Sequence, residues 1–161
     1  MTRRLALFAG TFDPVTRGHE DVIRRGARLF DAVLVCVAPD APRAWLPQAL
    51  RVQLLRDEVA DLEHVEVEPF DGLLTHVAVE REAVALLRGV RSVRDFEYEM
   101  EMAFANRDLA PHVETLFLPP SAKTALVSSS LVREVARLGG DVSAWVSPAV
   151  ADALKHRAAA T

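Results

Sequence analysis

Lysine is scarce in this chain and cysteine scarcer. Of the nineteen basic residues only Lys123 and Lys155 are lysines, so an anionic ligand would be met almost entirely by arginine. Cys36 is the single cysteine and lies in the apolar run Ala32-Val33-Leu34-Val35-Cys36-Val37-Ala38. That placement suits a core thiol, rules out a disulfide framework and leaves no Cys/His metal spacing, so no metal-ligating residue is expected. Excess positive charge is missing too. The formal net charge is −4 and the pI about 5.7, so no global field draws nucleic acid or an anionic membrane surface. No apolar run is long enough to span a bilayer. The stretch after Met1-Thr2-Arg3-Arg4 stops at Gly10-Thr11-Phe12-Asp13-Pro14, too early for a secretory leader. A cytoplasmic location is expected. The fingerprints G-x-G-x-x-G and G-x-x-x-x-G-K-[ST] are both absent, which argues against a Rossmann dehydrogenase and a P-loop NTPase.

What is present is a regular alternation. The length of 161 residues, half of them apolar, fits one domain over 1–161 with a sizeable core. Short apolar runs predict strands at 4–9, 32–38, 64–69, 83–88 and 114–119. Helical periodicity predicts helices at 18–30, 48–62, 73–81, 92–109, 129–138 and 148–158. The expected apolar faces are Val22, Ile23, Gly26, Leu29 and Phe30 on the first helix, and Leu50, Leu54, Leu55, Val59 and Leu62 on the second. On the fifth they are Leu131, Val132, Val135 and Leu138, with Gly139-Gly140 as terminator. Strands alternating with helices imply an α/β fold with a doubly wound, five-stranded parallel sheet. Ligands of such sheets bind at the carboxyl ends of the strands, where the order switches. Gly10-Thr11, Arg43, Arg88-Gly89-Val90-Arg91 and Ser128-Ser129-Ser130 are all expected on that edge.

Four constellations carry chemistry. Gly10-Thr11-Phe12-Asp13-Pro14-Val15-Thr16-Arg17-Gly18-His19 joins the first strand to the first helix. Such a turn aims backbone N–H groups and a favourable dipole at phosphate. His19 in the first helical turn can donate to an oxygen that gains charge during phosphoryl or nucleotidyl transfer. Taken singly, the glycines read as turn residues and His19 as a solvated cap; the whole string favours the ligand. Arg88 and Arg91 flank Gly89 at a strand end, where arginine matches phosphate geometry and glycine admits a close approach. In Asp95-Phe96-Glu97-Tyr98-Glu99-Met100-Glu101 no glutamate stands out by spacing, and a solvated face or ion pairs are the ordinary reading. Ser128-Ser129-Ser130 reads equally as an N-cap and as a phosphate cradle. Arg133, in the first turn of that helix, opposes the dipole unless an anion is near. No nucleophile is paired with a base, so the implied chemistry is attack of one bound substrate on another.

In order and spacing these segments, with Asn106-Arg107 and Gly139-Gly140-Asp141-Val142, resemble the bacterial phosphopantetheine adenylyltransferases. These belong to the nucleotidyltransferase superfamily with (H/T)xGH and SSSxxR-type motifs and a Rossmann-like fold. The likeness runs from about residue 5 to about 158. It implies transfer of AMP from ATP to 4′-phosphopantetheine, giving dephospho-coenzyme A and pyrophosphate, with Mg²⁺. It implies that His19 stabilises the transition state of in-line attack at the α-phosphorus and that Thr11 orients the attacking phosphate and touches ATP. Arg88 would hold the acceptor phosphate and Leu74 would line the pantetheine arm. Phe12, Gly89, Val90, Arg91 and Glu99 would contact ATP, as would Thr124, Ala125, Leu126, Val127, Ser128, Ser129 and Ser130. A homohexamer inhibited by coenzyme A is implied as well, with no nucleic acid or membrane partner. The chain departs from the family pattern at three places. Ala9 stands for a proline, Arg43 for the loop lysine that acts on phosphate, and Thr124-Ala125-Leu126 for an aromatic-Ser-Phe run. Arginine is a planar fork and not a point charge, so the exchange at Arg43 is not conservative. These departures leave room for a nucleotidyltransferase with another phosphorylated acceptor or nucleotide, or for a ligand-binding homologue with impaired catalysis.

Overall fold

The computed structural model describes residues 3–160; the ends of the expected domain, Met1, Thr2 and Thr161, lie outside the described residues. The elements follow as β1 (Leu5–Gly10), α1 (Arg17–Leu29), β2 (Ala32–Val37), α2 (Gln48–Glu58), β3 (Val65–Pro69) and α3 (Leu74–Glu80). Then come β4 (Ala85–Gly89), α4 (Val93–Leu109), β5 (Glu114–Leu118), α5 (Ser129–Arg137) and α6 (Pro148–Ala159). The strands form one parallel sheet in the order β3-β2-β1-β4-β5. The expected doubly wound α/β sheet is therefore present. The chain walks outward from β1 to β3 and returns to the other side of β1 with β4. The switch point lies between β1 and β4, at the ends marked by Gly10 and Gly89.

Strand pleating divides the core. Ala6 and Phe8 of β1 join the cluster that holds Val22, Ile23, Leu55, Val132 and Leu154. Leu7 and Ala9 turn to the other face, with Leu34, Cys36, Ala78 and Leu86. Covered on both faces, β2 is buried throughout, which explains its unbroken apolar run. Cys36 is the buried thiol expected, and desolvation, followed by the charge of Glu68, pushes it up to about 12. Gly26 of α1 sits against β4: a Cβ there would come 2.6 Å from Leu87 Cδ1. Glycine lets that helix lie so close to the sheet without displacing the Leu87 side chain.

Several expected faces shift. The stripe of α1 is Val22, Ile23, Gly26 and Ala27, continued by Phe30; Leu29 falls off it and is 53% exposed. On α5 the buried pair is Val132 and Ala136, while Leu131 and Leu138 face outward. A surface helix buries only a narrow stripe, and the neighbours of that stripe on the wheel stay in water. Helix α2 ends at Glu58 and not at 62, where Arg24 of α1 takes the Glu58 carbonyl at 3.3 Å and the Asp61 carboxylate at 2.6 and 2.9 Å. Leu50 is an outward residue of α2, and the buried face includes a charge, Arg51. Among the described residues no helix is long and apolar enough to cross a membrane.

Candidate active site

A cavity of about 560 Å³ opens at the switch point. Thr11 and Phe12 from the turn after β1 line it, with His19 from α1 and Arg88, Gly89 and Arg91 from the end of β4. Ser128, Ser129, Ser130 and Arg133 close it from α5, and Thr124 and Val127 from the segment before it. Leu74 lines it beside Phe70.

His19 is fixed by its own turn. Thr16 is the N-cap of α1, and its backbone N–H donates to His19 Nδ1 at 3.0 Å; the Thr16 hydroxyl lies 3.1 Å from the same nitrogen. A backbone N–H can only donate, so Nδ1 is the acceptor and the ring proton sits on Nε2. The rings of Phe12 and Phe8 pack against the imidazole, with centroids at 5.1 and 6.4 Å. Desolvation first, and then the charge of Arg91, push His19 down from 6.5 to about 4. At neutral pH it is therefore an uncharged donor through Nε2–H. It is not a solvated cap.

The two arginines on either side of Gly89, at the end of β4, are held differently. Arg88 meets Glu99 in a bidentate pair, Nε to Oε2 at 2.6 Å and Nη2 to Oε1 at 2.5 Å, while Nη1 donates to the Ala9 carbonyl at 2.8 Å. Glu99 is the buried residue of α4, and its carboxylate sets the plane of that guanidinium. Arg91 donates to the Val127 carbonyl at 3.0 Å and pairs with Asp95 at 3.4 Å, which ties β4 to the segment before α5.

Helix α5 brings its N-terminus to the same cavity. Ser128 caps it, accepting from Leu131 N at 3.0 Å, and Ser129 donates to the Pro14 carbonyl at 2.8 Å. Ser130 accepts from Arg133 at 3.3 Å. The same Arg133 donates to the Asp13 carbonyl and lies 3.7 Å from the Asp13 carboxylate. The serines are thus caps and cavity wall at once, and Arg133 has a carboxylate to offset the dipole. Among the described residues no cluster of three His, Cys, Asp or Glu is placed to hold a metal ion.

A family model described as cytidylyltransferase-like matches residues 7–135. The phosphopantetheine adenylyltransferase of Thiobacillus denitrificans is 48% identical over 153 residues, 94% of this chain and 96% of that protein. That of Thioalkalivibrio sulfidiphilus is 52% identical over 154 residues, 95% of this chain and 97% of that protein. The chain belongs to the phosphopantetheine adenylyltransferase family. Solved structures add the fold alone. A Vibrio parahaemolyticus protein described as a nicotinate-nucleotide adenylyltransferase superposes with a TM-score of 0.73 at 19% identity, covering 98% of this chain and 94% of that one. A lipopolysaccharide core biosynthesis protein from Thermoplasma volcanium gives 0.55 at 17% identity, covering 74% and 98%.

Of the site residues that family resemblance names, Arg43, Val90, Glu99, Ala125 and Leu126 do not line the cavity. Arg43 is exposed in the β2–α2 connection with no bonded partner among the described residues, Glu99 stands behind Arg88, and Leu126 is 89% exposed beside the cavity-lining Val127. Two buried charges behind the cavity wall escaped sequence reasoning. The Asp13 carboxylate accepts the N–H groups of Trp45 and Leu46 at 2.8 and 2.9 Å. Arg51, three and four residues before Leu54 and Leu55, shares their inward face. A lone charge on an apolar stripe was the signal for it.

Proposed function

We propose that the protein transfers the adenylyl group of ATP to 4′-phosphopantetheine. A phosphate oxygen of the acceptor attacks the α-phosphorus in line, the bond to the bridging oxygen breaks, and pyrophosphate leaves as dephospho-coenzyme A forms. The observation that carries this reading is His19: a neutral, half-buried Nε2–H donor in a wall of phosphate-binding elements. Charge builds on the α-phosphoryl oxygens during attack, and a donor already in place stabilises that charge more than the ground state. The family relatives bring the substrates.

Thr11, Arg88 and Arg43 bind the acceptor phosphate, with Glu99 orienting Arg88, and Leu74 meets the pantetheine arm. Thr11, Phe12, Gly89, Val90, Arg91 and the stretch Thr124–Ser130 take ATP. The cavity lining holds no carboxylate, so Mg²⁺ fits as part of the substrate, carried on the ATP phosphates and neutralising them. Coenzyme A shares the phosphopantetheine arm and is the expected inhibitor. The exposed apolar residues Val93, Tyr98, Phe104 and Leu109 on α4 support burial in a homohexamer, and the cytoplasm is the expected compartment.

Pyrophosphate release with ATP and phosphopantetheine tests the reaction, with other nucleoside triphosphates and phosphorylated acceptors run beside it. The expected result is a clear preference for ATP with phosphopantetheine. Absence of dephospho-coenzyme A would overturn the assignment.

A further inference from the structure

We propose that Arg51 is a positioning residue for the acceptor half of the reaction, an inference that rests on the transfer just described. Its side chain is 1% exposed and is the largest fully buried one among the described residues. Nε donates to the Leu46 carbonyl at 2.9 Å, Nη1 to the Thr11 carbonyl and to the Ala38 carbonyl at 3.1 Å, and Nη2 to Asp40 Oδ1 at 2.5 Å. These acceptors come from two segments. Thr11 belongs to the turn after β1; Ala38, Asp40 and Leu46 belong to the β2–α2 connection. One planar fork therefore ties the turn to both ends of the connection.

Packing alone does not call for this arrangement. A well-fitted apolar side chain fills a buried site without the cost of desolvating a charge. A lysine has no fixed fork to reach four oxygens in different directions. What the fork does is hold two features of the site. Phe12, next to Thr11, has φ of 48°, a left-handed conformation that persists only where the surroundings impose it. Arg51 grips the carbonyl on one side of it, and the Phe8 ring packs on the other at 5.4 Å. Arg43, exposed and with no bonded partner among the described residues, lies between Ala38 and Leu46, so the segment that carries it is tethered at both ends. Asp13, through Trp45 and Leu46, ties the same two segments a second time. Arg51 thereby couples the turn that carries Thr11 to both ends of the connection that carries Arg43, the two groups assigned above to the acceptor phosphate. It has no bond to Arg91, Val127 or the α5 serines on the nucleotide side.

Steady-state kinetics of Arg51→Lys and Asp40→Asn, with thermal midpoints recorded alongside, test the role. The expected result for Arg51→Lys is a rise in the acceptor KM of about tenfold with the ATP KM held within about twofold. Asp40→Asn, which removes a half-exposed charge and keeps an acceptor, shifts the same ratio less. Should Arg51→Lys fail to fold, the Asp40→Asn ratio decides alone. Lowered thermal midpoints with both KM values unchanged, or raised equally, would make Arg51 a purely structural residue and overturn the proposal. If wild-type protein forms no dephospho-coenzyme A, the reaction itself falls and the positioning role with it. An active wild type with an unmoved KM ratio sinks the positioning role alone.

Discussion

The turn after β1 and the connection after β2 flank the same end of the sheet, yet they are held in opposite ways. In the turn, Asp13, Thr16 and His19 each have bonded partners within the protein. In the connection, Ala38 and Leu46 are anchored, and Arg43 between them has no hydrogen bond or ion pair among the described residues. The difference follows the division of labour in the proposed transfer. A donor facing the reacting phosphorus works best when its orientation is settled before substrate arrives. A cation that receives an incoming phosphate loses little by waiting in water, because an exposed guanidinium is fully hydrated and an exposed ion pair would add little stability.

The largest effect expected comes from the fixed side. His19→Ala removes a transition-state donor and should lower kcat by roughly two to three powers of ten while substrate KM values move little. A near-normal rate in the pyrophosphate-release assay would show that the fixed histidine has no such part. On the open side, Arg43→Ala should raise the acceptor KM by about tenfold, as loss of a charged contact does, with kcat changed only a few-fold. Its thermal midpoint should match wild type, since no partner is lost. A lowered midpoint would put Arg43 among the fixed residues and break the contrast.

The smallest effect is in pH. Folding takes the His19 imidazole from 6.5 down to about 4, so between those values the unfolded chain binds more protons. The contribution of His19 to stability is thus complete above 6.5 and is lost as pH falls toward 4. Unfolding of wild type and His19→Gln followed across that window should show the steeper pH slope in wild type. The ligand-free imidazole, followed by nuclear magnetic resonance, should stay neutral with its proton on Nε2 until pH approaches about 4. A midpoint in the ordinary histidine range would mean that water reaches the ring.

Strands and helices were legible because each has its own period, and β1, β2 and the glycine turn after β1 carry theirs within a few residues. The Thr16–His19 contact is just as local, four residues of one cap. What stayed hidden depends on partners far along the chain. Arg51 finds its carbonyl at Thr11, and Asp13 finds its donors at Trp45 and Leu46, pairings that no periodicity encodes. Glu99 is one of several acidic residues on α4, and nothing but the position of Arg88 in the folded chain distinguishes it. The outward turn of Leu29, Leu131 and Leu138 was hidden for a related reason: leucine spacing shows that a helix is amphipathic, but its neighbours decide how wide the buried stripe is.

The close seat of Gly26 against Leu87 has a consequence for the histidine at the other end of the same helix. Helix α1 is a stiff rod seated on the sheet at Gly26, and His19 lies about two turns nearer its start. A methyl group at Gly26 would force either the Leu87 side chain or the helix to shift, and a shift of the helix would carry the imidazole with it. Misplacement of about an ångström is enough to slow such a reaction by orders of magnitude. The position of the proposed transition-state donor thus depends on a side chain that is not there.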